Sequence, residues 1–176
     1  MQSMAKIAAL ALLLGLSAGC TPVKPAASGS VFEDERIEKE AIARIRAQHL
    51  GEVQVSVASK NRRLLLTGEV PSQAARSQVE KLVADVPNVT GVSNELVVGD
   101  IIGLGARTSD SMIASDVKFL LLKEPGFPAS DVKIVTEGGS VFLMGSVRRK
   151  DGASAGQLAS TVSGVKRVVL VFEYVD

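Results

Sequence analysis

One cysteine, Cys20, and one histidine, His49, are the only residues of their kinds in a chain of 176. A structural zinc site takes four Cys or His ligands, and a nucleophile needs a positioned base beside it. That pair argues against both, and a lone thiol excludes an internal disulfide framework. His49 falls at the end of a predicted helix, where an imidazolium would meet the negative end of the dipole. It is read as structural. Gly103-Leu104-Gly105 lacks the third glycine of a dinucleotide fingerprint and falls in a connector. No phosphate-cradling loop or paired-carboxylate pattern stands out, so no cofactor and no catalytic residue is assigned. Two chemistries remain: acylation of Cys20, and apolar side chains set beside lysines on one helix.

Cys20 follows a short basic start (Lys6), the apolar run Ile7 to Leu16, and the small residues Ser17-Ala18-Gly19. The run is too short to cross a hydrocarbon core of about 30 Å and has the length of a signal-peptide core. The pattern resembles a bacterial lipobox, with Ser17 where leucine is commonest. An ordinary secretory signal cut near Ala18 is the alternative, and the uniqueness of Cys20 favours the lipobox. On that reading residues 1–19 are a lipoprotein signal peptide, Cys20 is lipidated with palmitate-type chains, and 20–30 form a Pro/Ala/Ser/Gly tether. Several acyl chains give stable anchoring. Thr21, in place of an aspartate, favours the outer membrane and a periplasm-facing chain.

Charge and aromatic content narrow the partners. Lys and Arg total 20 against 19 Asp and Glu, and the chain has no Trp. There is no broad basic field and no base-stacking platform, which argues against nucleic acid.

The elements that must position any site form a repeat. Leu64-Leu65-Leu66-Thr67-Gly68-Glu69-Val70 aligns with Val141-Phe142-Leu143-Met144-Gly145-Ser146-Val147, and Ile37, Ala41 and Ile45 align with Ile113, Val117 and Leu121. Val86-Pro87-Asn88-Val89 aligns with Val162-Ser163-Gly164-Val165. Each copy predicts a helix starting near Glu33 or Ser111, two strands around Ser59-Lys60-Asn61 or Glu137-Gly138-Gly139, and a strand end at Gly68 or Gly145. A second helix (72–85 or 150–162) and a last strand (92–98 or 168–175) follow. The expected class is α+β: two tandem α-β-β-α-β units, each with a three-stranded mixed sheet and two helices. The units span 31–98 and 109–176, with 99–108 as connector. Units this small are marginal alone, so the two are expected to pack together.

The two first helices differ. In the first copy the face away from the Ile37-Ala41-Ile45 stripe carries Arg36, Lys39, Glu40, Arg44 and Arg46, an ordinary solvated surface. In the second, Met112 and Phe119 lie together roughly 120° from the core stripe, with Leu122 nearby and Lys118 and Lys123 flanking. Such a face suits an anionic membrane interface or docking against the first unit. Phe127, just past the helix, is a candidate additional wedge. Arg148 and Arg149, ahead of Lys150, are candidates for the same headgroups.

The strand–Gly–Val pattern, the following helix and Val162-Ser163-Gly164-Val165 before the last strand resemble the BON domain of bacterial envelope proteins. Together with Ile102-Gly103-Leu104-Gly105 and the lipobox, they are similar to that family's two-copy outer-membrane lipoproteins. The resemblance implies a non-enzymatic protein that binds anionic phospholipid (phosphatidylglycerol, cardiolipin) through the first helix of the second BON domain and supports outer-membrane integrity. A docking role toward envelope assembly or division proteins, using the same face, is the alternative. One departure stands out: a two-copy member has Trp where this chain has Met112, and Met lacks the indole that prefers the headgroup level.

Overall fold

A computed structural model describes residues 28–48, 50–99 and 105–176. Residues 1–27, with the expected signal segment and Cys20, lie outside this description, as do His49 and 100–104. In chain order the first domain holds α1 (Ser28–Arg46), β1 (Gln54–Lys60), β2 (Arg63–Val70), α2 (Gln73–Ala84), β3 (Gly91–Asn94) and β4 (Val97–Val98). The second holds α3 (Gly105–Lys123), a 3-10 turn at Ala129–Asp131, β5 (Lys133–Glu137), β6 (Ser140–Val147), α4 (Arg149–Ser160) and β7 (Arg167–Tyr174). In each domain the middle strand pairs antiparallel with the strand before it and parallel with the segment after the second helix.

Three details depart from the sequence reading. Both first helices start earlier than Glu33 and Ser111, so the acidic residues near Glu33 are not in the first turn. The last strand of domain 1 is interrupted: Leu66 pairs with Asn94 and Glu69 with Val97 at one unchanged offset. Between them the Asn94 side chain accepts the Leu96 N–H at 3.2 Å while the Leu96 side chain enters the core. Finally, Gly68 and Gly145 lie inside β2 and β6, not at their ends. Their φ angles are +110° and +144°, and an added Cβ would stand 2.0 Å from Gln54 O or 2.2 Å from Asp131 O. Close approach of the neighbouring backbone, not strand termination, demands glycine there.

Each hairpin closes through two residues at positive φ, Asn61-Arg62 in domain 1 and Gly138-Gly139 in domain 2, the geometry that matches strand twist. A buried aspartate on the first helix holds each turn. Asp34 accepts the N–H groups of Asn61 (2.9 Å) and Arg62 (2.7 Å) and the Ser59 hydroxyl (2.7 Å). Asp110 accepts those of Gly138 and Gly139, both at 2.8 Å. Hydrogen bonds to a charged group contribute about 1.5–3 kcal/mol each. Asp110→Ala removes two of them and is therefore expected to destabilise the protein by about 3 kcal/mol or more in urea unfolding, and Asp110→Asn, which keeps one acceptor, by less.

Both helices of a domain cover one face of its sheet. Ile37, Ala41 and Ile45 of α1 meet Leu64 and Leu66 of β2, and Ile113, Val117 and Leu121 of α3 meet Val141 and Leu143 of β6. The other faces meet each other. Ala58 and Leu65 of domain 1 pack with Phe142, Met144 and Val171 of domain 2 into a third core, flanked by Val135 and Val169. The layers are helices, sheet, sheet, helices. Polar contacts rim this join: Lys133 Nζ reaches Glu38 Oε1 (2.6 Å) and Ser59 O (3.1 Å), Asn61 donates to Ser146 Oγ (2.9 Å), and Arg167 pairs with Glu95 (3.2 Å).

A further tie holds α1 to the loop after α2. The Glu33 carboxylate accepts from Arg36 (2.9 Å) and from Asn88 (2.7 Å). Arg36 first, then Asn88, holds its pKa down to about 2 from 4.5. Because the folded value is depressed, this contribution is fully present above pH 4.5 and fades as pH falls toward 2. A carboxyl NMR titration should find Glu33 ionised at pH 3.5, whereas Glu33 titrating near 4.5 would contradict the contact.

Candidate functional site

Placing Ile113, Val117 and Leu121 in the core turns the opposite side of α3 outward. Met112 is 67% exposed, Phe119 56% and Leu122 64%. These residues stand at i, i+7 and i+10, so they form one stripe along the helix. Docking against the first domain, the alternative reading of this face, is not what the fold does. The domains meet through their sheets, and α3 lies on the far side of its own sheet.

The repeat supplies a control for this face. At the positions of α1 that correspond to Met112, Phe119 and Leu122 stand Arg36, Ala43 and Arg46, all exposed. Two helices with the same core stripe and the same role in their domains thus differ in their solvent faces. Core packing cannot account for the difference.

The flanking residues divide. Lys123 is exposed, with its Nζ 4.1 Å from the centre of the Phe119 ring, at the edge of the stripe. Lys118 is half-buried and donates to the carbonyls of Ala129 and, at 3.5 Å, Val132. It ties α3 to the 3-10 turn, so its ammonium is already engaged. Phe127 packs on the domain 2 core instead of standing free as a wedge. Arg148 and Arg149 are exposed after β6. Arg148 pairs with Asp151 at 2.6 Å, and Arg149 lies 4.8 Å from the Tyr174 ring centre. The pairing of Lys133 with Met144 brings this end of β6 to the start of β5, the end of the domain where α3 finishes. A shallow groove lined by Ala114, Phe119, Leu122, Val132 and Ile134 runs between α3 and β5.

Sequence reasoning missed two features. Asp34 and Asp110 share the spacing of Ile37 and Ile113, so the repeat alignment itself carried the signal for the turn-holding aspartates. Val31 and Phe32, exposed at 50% and 69% early in α1, fall outside the core stripe. Among the described residues no group of three or more His, Cys, Asp or Glu side chains could hold a metal ion. No described helix is long and apolar enough to cross a membrane.

The BON domain profile matches residues 33–100 and again 109–176. The chain is 34% identical over 164 residues to "Outer membrane lipoprotein DolP" of Haemophilus influenzae, covering 92% of this chain and 85% of that protein. It is 33% identical over 157 residues to the "21 kDa hemolysin" of Actinobacillus pleuropneumoniae, covering 88% and 81%. Its identity to "Osmotically-inducible protein Y" of Escherichia coli is 30% over 144 residues, covering 80% and 72%. Two domain matches, the repeat and the α+β architecture agree: the chain belongs to the BON-domain family, as a tandem, DolP-like member.

Proposed function

We propose that this protein is an outer-membrane lipoprotein, anchored through Cys20, that binds anionic phospholipid with the exposed face of α3 and thereby supports envelope integrity. The observation that carries the reading is the contrast between α3 and α1. Met112, Phe119 and Leu122 are exposed where the sister helix has arginine and alanine. Apolar side chains of this size gain about 1.5–3 kcal/mol each when fully buried. A lysine beside an anionic surface adds about 1 kcal/mol, and Lys123 sits at the stripe's edge. Arg148 and Arg149, exposed at the same end of the domain, are further candidates for the headgroups.

The similarity to a protein named as an outer-membrane lipoprotein supports the location. Anchoring at Cys20 would also favour the interaction, because a tethered face meets the bilayer at high effective concentration.

The second reading makes the same stripe a docking face for an envelope assembly or division protein, since exposed apolar patches also mark protein contacts. A photoreactive amino acid at position 119 separates the two. Lipid adducts in cells are the expected result, and one dominant protein adduct would favour docking.

A further inference from the structure

We infer that Met112 is an oxidation site through which a peroxide or hypochlorous acid weakens the grip of α3 on lipid; the inference rests on the lipid-binding reading above. Beyond Cys20 the chain holds two methionines, Met112 and Met144, and no cysteine. Their surroundings are opposite. Met112 is 67% exposed on the apolar stripe, whereas Met144 is 1% exposed in the core between the domains. Oxidation of methionine requires access to the thioether sulfur, so the fold protects one and presents the other.

The chemistry is a two-electron oxygen transfer. The Met112 sulfur attacks one peroxide oxygen, an S–O bond forms as the O–O bond breaks, and the departing oxygen leaves as water after a proton shift. With hypochlorous acid the net products are the sulfoxide, chloride and a proton. The sulfoxide replaces a flexible apolar side chain by a polar one, at a position whose proposed role is to enter the acyl boundary. Phe119, Leu122 and Lys123 are unchanged, so affinity falls without vanishing. A thiol-dependent methionine sulfoxide reductase reverses the change.

The test uses residues 21–176, which retain every described element and carry no acyl group, with vesicles containing phosphatidylglycerol. Limited hydrogen peroxide is expected to add one oxygen to Met112 and none to Met144 by peptide mass spectrometry. Co-flotation should fall about tenfold, the scale of losing one inserted apolar side chain, and recover after reductase treatment. Met112→Leu should float equally before and after peroxide. The inference is overturned if the Met112 sulfoxide floats as well as untreated protein, if Met144 oxidises first, or if Met112→Leu loses flotation to the same extent. Should untreated protein fail to float, the lipid-binding reading itself falls and takes this inference with it.

Discussion

Replacing Gly145 by alanine is expected to destabilise domain 2 by at least about 3 kcal/mol, beyond the range of ordinary surface substitutions. The added Cβ would stand 2.2 Å from Asp131 O and 3.2 Å from its carbonyl carbon, at a φ of +144°. The obstacle is backbone, so no side-chain rotation relieves it. The 3-10 turn at Ala129–Asp131 would have to move, and with it the carbonyls that hold Lys118. Gly68→Ala should behave alike in domain 1, where Gln54 O stands 2.0 Å from the added atom. Gly99, with nothing within 4 Å of an added Cβ, is the control, and its alanine variant should unfold within about 0.5 kcal/mol of the parent. Urea unfolding of the three variants decides it. A Gly145→Ala protein as stable as Gly99→Ala would contradict the close approach.

The two glycines show where sequence reading stops. Their spacing in the repeat was plain, but a glycine at a strand end and one beneath a neighbouring carbonyl look identical in sequence. Only the approach of β1, or of the turn before β5, tells them apart. The helix starts were misplaced for a related reason: the acidic residues near Glu33 resemble a first turn, yet Asp34 holds the hairpin. The faces that join the domains are legible in the strands themselves. Leu64-Leu65-Leu66 and Val141-Phe142-Leu143-Met144 do not alternate with polar residues, and unbroken apolar runs mark strands covered on both faces. Leu65 and Phe142 are the residues that break the alternation, and both lie in the third core. The α3 stripe was legible because helical periodicity places Met112 and Phe119 away from the core. Lys118 and Phe127 were not, because their partners sit on the turn and in the core, which periodicity does not report.

Met112→Asp with Phe119→Asp is the substitution pair with the largest expected effect on function. Both side chains are solvent-exposed, so neither change disturbs the core, and stability should shift little. On the membrane the effect is large. On the proposed reading each substitution would remove an apolar side chain from the acyl boundary and add a negative charge facing anionic headgroups. Together they should lower vesicle affinity by about a hundredfold or more. Arg36→Asp with Ala43→Asp, at the matching positions of α1, should leave binding nearly unchanged, because that face carries no apolar stripe. High salt should weaken binding of the parent only in part, since screening reaches the Lys123 and Arg148–Arg149 contribution but not the apolar one.

Flotation of residues 21–176, made without the acyl group, with vesicles of phosphatidylglycerol and with neutral vesicles tests the central claim most directly. The parent protein is predicted to float with the anionic vesicles and the Met112→Asp, Phe119→Asp variant to remain in the dense fractions. Absence of the parent from the floating fractions, or flotation of the variant to the same extent, would contradict lipid recognition by α3.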